Sequence, residues 1–422
     1  MDATRLFPRL LVSGLLALFC TSAIAADAPS KVDGWPQWRG PNRDDLSTET
    51  GLLKEWPAGG PTLVRKTTGV GIGYSGVAVT GGKIFTMGDI GNESHVMALS
   101  EADGKQIWST KIGAPGHYGN YYGPRGTPTV DGDLVYALNQ HGDLICVEAA
   151  TGKEVWKKSL TKDFGGGTPG WGYAESPLVE GDVVMCTPGG RKGAVVALNK
   201  KTGATVWQSK EFTDGAHYSS LIIETLFGQR QVIQLTAASV AGVAVADGKL
   251  LWRANRTGKT AVVPTPICAD NQVFVTSGYG VGCNAFKISK DGGAYNTAQV
   301  YANTNMANHH GGVILLDGFL YGHSDTKGWI CQDFKTGEVV WSNKGVNKGA
   351  IAYADGRFYI RSEGGKGTIA LIEASSKAYV EHGRFDQPDR SDKNSWPHPV
   401  IVNGKMYIRD QDVLLCYDVK GK

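Results

Sequence analysis

Short runs of β-branched, aliphatic and aromatic residues alternate with glycine-bearing turns along almost the whole chain. One stretch shows the unit: Thr127 to Val130, a turn at Asp131-Gly132, Leu134 to Leu138, a turn at His141-Gly142, Leu144 to Val147, a turn at Thr151-Gly152, then Val155-Trp156. Four runs of strand-forming residues joined by such turns predict a meander of four antiparallel strands. After the first 25 residues no stretch has a helical period, so the chain is expected to be all-β.

The unit recurs. Asp103-Gly104 to Trp108, Thr151-Gly152 to Trp156, Thr202-Gly203 to Trp207, Asp247-Gly248 to Trp252 and Thr336-Gly337 to Trp341 share a turn glycine four residues before a tryptophan. Two degenerate copies end at Tyr301 and Phe385, and successive aromatic positions lie 40 to 51 residues apart. That period fits a four-stranded propeller blade better than a leucine-rich or helical repeat. The rings are expected to pack blade against blade, since each buries ~150–250 Å².

The last repeat, Pro399 to Gly421, ends where the others turn into their fourth strand. An unpaired edge invites aggregation, so another segment should fill it. Thr62 to Lys66 resembles Glu154 to Lys158 and precedes the first full repeat. The prediction is a single eight-bladed β-propeller over residues 26–422, its last blade closed by an N-terminal strand.

Composition refines this in three ways. Arg5 and Arg9, the apolar run Leu10 to Phe19 and the small-x-small Ala23-Ile24-Ala25 read as a signal peptide over 1–25, which implies a periplasmic or secreted protein. Cys20 follows Phe19, where a lipobox needs a small residue, so lipidation is not expected. The remaining chain carries 41 basic and 39 acidic side chains, without the concentrated basic surface that nucleic acids require. No other stretch is apolar enough to span a membrane, and a monomer is expected. Cys146, Cys186, Cys268, Cys283, Cys331 and Cys416 show no CxxC spacing; three share one position of the repeat, which predicts free buried thiols rather than disulfides.

Ala197-Leu-Asn199-Lys-Lys-Thr202-Gly-Ala-Thr-Val-Trp207 resembles the docking motif of the quinoprotein-like (PQQ-like) propeller repeat, and Cys331 to Trp341 resembles it with cysteine in the alanine slot. The likeness runs from about Trp35 to the end of the chain. It implies kinship with two groups: periplasmic quinoprotein alcohol dehydrogenases, which hold pyrroloquinoline quinone and calcium on the propeller axis, and binding propellers such as the outer-membrane assembly lipoprotein BamB. The opening Trp35-Pro-Gln-Trp-Arg-Gly40 also occurs in similar exported proteins and implies no activity.

In a propeller the loops entering the innermost strands converge on one mouth of the central channel. Those loops carry Tyr74, then Tyr122 and Arg125, then Trp171, Tyr173 and Glu175. Later blades contribute His217 and Tyr218, Pro264-Thr265, His309 and His310, Lys348, and Trp396 with His398. Convergent polar and aromatic groups in a concavity are candidates for ligand binding. Arg125 and Glu175 come from adjacent blades and either pair or clamp a ligand's carboxylate and hydroxyl groups. By the resemblance, Glu175 is the counterpart of the quinoproteins' calcium-binding glutamate. Its partners are missing where His217-Tyr218 and Pro264-Thr265 stand, as is the adjacent-cysteine ring.

His309 and His310, neighbours on an extended segment, point to opposite faces and cannot readily chelate one ion together; either could join His217 or His398 across the channel. Gly278 to Cys283 is glycine-rich but has no following helix to cradle phosphate. No catalytic residue and no metal site is assigned. The leading expectation is a BamB-like binding or scaffold module of the cell envelope, with an envelope protein or a small polar or carbohydrate ligand at the channel mouth. The alternatives are a quinone-dependent oxidoreductase of alcohols or sugars, and a carbohydrate-binding or carbohydrate-processing propeller.

Overall fold

A computed structural model describes residues 1–2 and 34–421; the expected signal peptide and Cys20 lie outside the described residues. Eight sheets of the predicted kind follow one another. The first contains Ala78–Thr80, Lys83–Ile90, Glu93–Ser100 and Gln106–Gly113, and the next Thr129–Asp131, Leu134–Leu138, Asp143–Glu148 and Glu154–Ser159. Each is a four-stranded antiparallel meander, as its short turns require, and the seventh carries in addition the short strand Leu46–Ser47, parallel to its innermost strand Gly349–Ala354.

Eight apolar clusters fill the seams between blades. Phe85, Met87 and Trp108 of blade one meet Val135 and Ile145 of blade two, and each later seam repeats the arrangement. The eighth seam brings Tyr407 and Leu414 of blade eight against Ile84 and Met97 of blade one. The sheets therefore close into an eight-bladed propeller. Closure uses the predicted strand: Thr62–Thr67 pairs antiparallel with Val413–Asp418, Leu63 opposite Tyr417 and Lys66 opposite Leu415.

The repeat motif is explained by these seams. Trp108, Trp156 and Trp207 donate their indole N–H to the backbone carbonyls of Ala149, Lys200 and Val245 in the next blade, at 3.1, 3.0 and 2.8 Å. The turn glycine of that next blade lies under the ring. A Cβ on Gly203, whose φ is +69°, would sit 2.8 Å from Trp156, and Gly104, Gly152, Gly248 and Gly337 share the left-handed φ at +72° to +76°. Glycine is thus required twice over, for the left-handed turn and for the ring above it. Opposite each ring sits the small slot: Ala98, Cys146, Ala197 and Cys331 pair with Trp108, Trp156, Trp207 and Trp341, each beside a register shift. The six described cysteines are all free, and Cys268 alone is half-buried rather than buried.

Ahead of the closing strand, residues 35–47 thread the axis. Trp35 bridges Val79 of blade one, and Pro36 O accepts from Val130 of blade two at 2.8 Å. Arg43 donates to Pro177 O and to Leu221 O (3.0 Å) in blades three and four; Trp38 donates to Thr265 Oγ1 (3.2 Å) in blade five. Arg39 reaches Val313 O (2.6 Å), Asp45 O accepts from Tyr353, and Asp45 Oδ2 meets His398 in blades six to eight. A segment touching the inner strand, or the approach to it, in every blade fills the channel. The Trp35–Gly40 motif is the start of this plug. Arg39, Arg43 and Asp45 take left-handed φ of 61°, 59° and 62°, a strain of roughly 1 kcal/mol or more each offset by this dense bonding.

Candidate functional site

Above the plug, at the end where the loops enter the innermost strands, lies a blind cup of about 880 Å³ including its open mouth. Trp38 of the plug contributes to its lining, and Tyr74, Arg125, Trp171, Tyr218, His310 and Trp396 surround it. All of these except Trp38 are among the mouth-loop residues named from sequence. Trp38, Tyr121 and Tyr279 also line the cup but were not singled out from sequence. Tyr121 belongs to a small hairpin, His117–Tyr118 with Tyr121–Tyr122, whose compact aromatic pattern was the available signal.

One wall is a ring column. Trp396 stacks on Tyr74 at 4.4 Å and on His310 at 4.2 Å between centroids, with interplanar angles of 28° and 19°. Tyr74 and His310 make no ring contact with each other, so they cover opposite faces of the indole. Tyr121 leans on the same ring at 5.0 Å. Across the cup, Trp171 and Tyr218 are tilted at 6.1 Å, and Trp171 N donates to the Tyr218 hydroxyl at 3.1 Å.

Arg125 does not pair with Glu175. It donates to Tyr121 O at 2.9 Å and Gly123 O at 3.2 Å and lies 5.8 Å from the Tyr118 ring centre. Burial pulls its pKa down, with nearby tyrosines and Asp89 acting in the other direction. Glu175 points away from the mouth: Ala174 and Ser176 line the cup, and the intervening residue of an extended segment faces the opposite side. Its Oε1 accepts the Thr187 amide, its Oε2 is buried without a partner, and burial pushes its pKa up to about 7 against the pull of Thr187 and Arg43.

The other candidates divide between rim and interior. Tyr122 is exposed on the hairpin against His117. Tyr173 is buried, its hydroxyl donating to Pro188 O at 2.9 Å. His217 accepts from the Val262 amide at 3.0 Å. His309 binds Asp325 at 2.8 Å, Lys348 binds Glu363 at 2.8 Å, and His398 is buried between Asp45 and His310 O. The histidines are therefore engaged separately, and no group of three or more His, Cys, Asp or Glu among the described residues is set to hold a metal.

The quinoprotein likeness raises calcium and pyrroloquinoline quinone. Calcium needs six to eight oxygen ligands. Here the charged neighbour of Glu175 is a cation, the fully buried Arg43 guanidinium, anchored on the carbonyls of Ser176, Pro177 and Leu221. This donor set does not fit calcium beside Glu175.

A family model described as outer membrane protein assembly factor BamB matches residues 92–343. BamB of Xanthomonas campestris pv. campestris is 27% identical over 216 residues, covering 50% of this chain and 48% of that protein. BamB of Salmonella typhimurium is 33% identical over 108 residues, 25% of this chain and 26% of that protein. The chain thus spans about half, or less, of the length of these curated relatives. Among solved structures, BamB from Moraxella catarrhalis has a TM-score of 0.61 at 15% identity, covering 85% of this chain and 99% of that one. Quinohemoprotein alcohol dehydrogenase from Comamonas testosteroni has a TM-score of 0.64 at 14% identity, covering 93% and 81%; both likenesses are of fold alone. With a family match over more than half its length and the eight docked blades that the repeat motif builds, the chain belongs to the PQQ-like repeat family described as outer membrane protein assembly factor BamB.

Proposed function

We propose that this protein is a binding propeller of the cell envelope, a scaffold of BamB type, exported after cleavage near Ala25. The carrying observation is the mouth rim: Tyr122 is 48% and Tyr279 40% exposed, both on loops held by rigid blades. Exposed aromatic side chains on a fixed frame bury large area at low entropic cost when a partner docks. The names of the relatives support an envelope protein as that partner. A photo-crosslinking residue at Tyr122 or Tyr279, introduced in the native envelope, should trap one defined envelope protein. The same residue at Glu154, on an outer strand, should not. Crosslinks from Glu154 alone, or from none of the three, overturn the reading.

A second reading, binding of a small ligand, is supported by the cup itself, whose walls combine rings with one cationic side chain.

A further inference from the structure

The cup has an imbalance of hydrogen-bonding groups. Ser176 Oγ accepts the Thr127 amide at 2.9 Å, Ser220 Oγ accepts the Ser176 amide at 3.0 Å, and the Tyr218 hydroxyl accepts the Trp171 amide at 3.1 Å. A hydroxyl whose oxygen already accepts a backbone N–H still has its own proton to give. The carbonyls of Tyr121 and Gly123 are taken by Arg125. Arg125 makes no ion pair among the described residues, and Asp89, the carboxylate that influences it, already accepts from Gly116 N at 2.9 Å and Gln140 Nε2 at 3.2 Å. The cup therefore offers a guanidinium and three hydroxyl protons, with no carboxylate in its lining to receive them.

Such a site matches an acceptor with negative charge. Guanidinium and hydroxyl donors around a carboxylate make short, charge-assisted bonds, whereas a neutral sugar would bring hydroxyl protons that find few acceptors. The body of the ligand is limited by the walls. Both faces of Trp396 are covered by Tyr74 and His310, and Trp171 and Tyr279 already rest against Tyr218 and His309. No flat slot is left between parallel faces, and Ala261, Val263 and Pro397 complete an apolar lining. We propose that the cup binds a small carboxylic acid with a compact, saturated, apolar body, its carboxylate on Arg125 and the Ser176, Ser220 and Tyr218 hydroxyls. This goes beyond the scaffold reading and does not depend on it.

Calorimetric titration of the purified protein with cyclohexanecarboxylate, cyclohexanecarboxamide and glucuronate tests this. The acid should bind about tenfold or more tightly than its amide, and more tightly than glucuronate. Arg125→Gln should lower the acid's affinity about tenfold or more while leaving the amide's unchanged, with the melting temperature confirming the fold. Amide binding equal to the acid overturns the anionic half without recourse to any variant. Tighter binding of glucuronate overturns the apolar half, and no binding of any of the three overturns both. Envelope crosslinking is untouched by these outcomes, so the scaffold reading stands or falls separately.

Discussion

Asp45 and His398 are hydrogen-bonded at 2.9 Å although 353 positions separate them in the chain. The same carboxylate oxygen holds Arg39 at 2.6 Å, and the side chains of all three are almost wholly buried. Burial alone would raise the Asp45 pKa, but Arg39 and His398 hold it below the ordinary aspartate value. The plug is in this way tied to the last blade by a buried hydrogen bond.

Asp45→Asn should therefore destabilise the propeller by about 3–5 kcal/mol, because it leaves Arg39 buried without its counter-charge. Urea denaturation measures this as a fall in midpoint at unchanged slope. The lowered carboxylate contributes stability above the ordinary aspartate pKa and loses it as pH falls through its folded value. Wild-type acid unfolding should accordingly carry a component absent from the variant. An unchanged midpoint would deny the plug a structural role.

Glu175 gives the opposite slope. Its folded pKa lies near 7 against an ordinary 4.5, so the folded state binds the extra proton between those values and stability falls as pH rises through that window. The loss approaches about 3 kcal/mol above pH 7. Glu175→Gln, with nothing to ionise, should gain on wild type between pH 5 and pH 8. Parallel melting curves across that range would refute the buried, unpaired carboxyl.

The docking slot makes a sharper prediction in blade four, where Gly242 stands opposite Trp252. Here the indole donates to Gln231 within the same blade, at 2.5 Å, rather than to the next blade. A Cβ on Gly242 would lie 2.2 Å from Trp252 Nε1 and 2.4 Å from Gln231 Oε1. Gly242→Ala should cost about 1–3 kcal/mol through overpacking. Cys331→Ala, in the same slot of blade six, should cost less, since Ala98 and Ala197 fill that slot in other blades. Equal thermal shifts for the two variants would show that the slot is not specific to its ring.

The blades were legible in the sequence because their signals are local: a turn glycine, a ring four residues later and period-two strands all lie within one repeat. The plug was not legible. Trp38, Arg39, Arg43 and Asp45 meet partners between residues 176 and 398, and no local pattern separates a guanidinium ringed by carbonyls from a solvated one. The mouth loops were identified as a group, but side-chain direction within them was not. Arg125 and Glu175 stand on adjacent blades, which left pairing and ligand clamping equally open, yet alternation along the extended segment turns Glu175 to Thr187 and Arg43. Tyr121, in a two-residue strand, and Tyr279, in a turn, owe their ring placement to Trp396 and His309 from other loops.

Ring closure itself can be broken without touching the core. Arg65 and Lys66 lie opposite Cys416 and Leu415 in the closing strand. Consecutive residues of a strand direct their amides to opposite sides, so one of the two must donate into the ladder. Replacing both with proline removes that donor and the φ freedom of both residues, leaving Val413–Asp418 exposed as an edge. The double variant should lose about 3 kcal/mol and form higher-order species on size-exclusion chromatography, as an unprotected edge does. The matching pair Lys157→Pro and Lys158→Pro, in the fourth strand of blade two, tests whether the closing strand is special. That strand is covalently continuous with its own blade, so its edge stays tethered and the ring stays shut. Aggregation of the Arg65/Lys66 variant alone would locate the propeller's weak point at its closure; equal aggregation of both would remove that distinction.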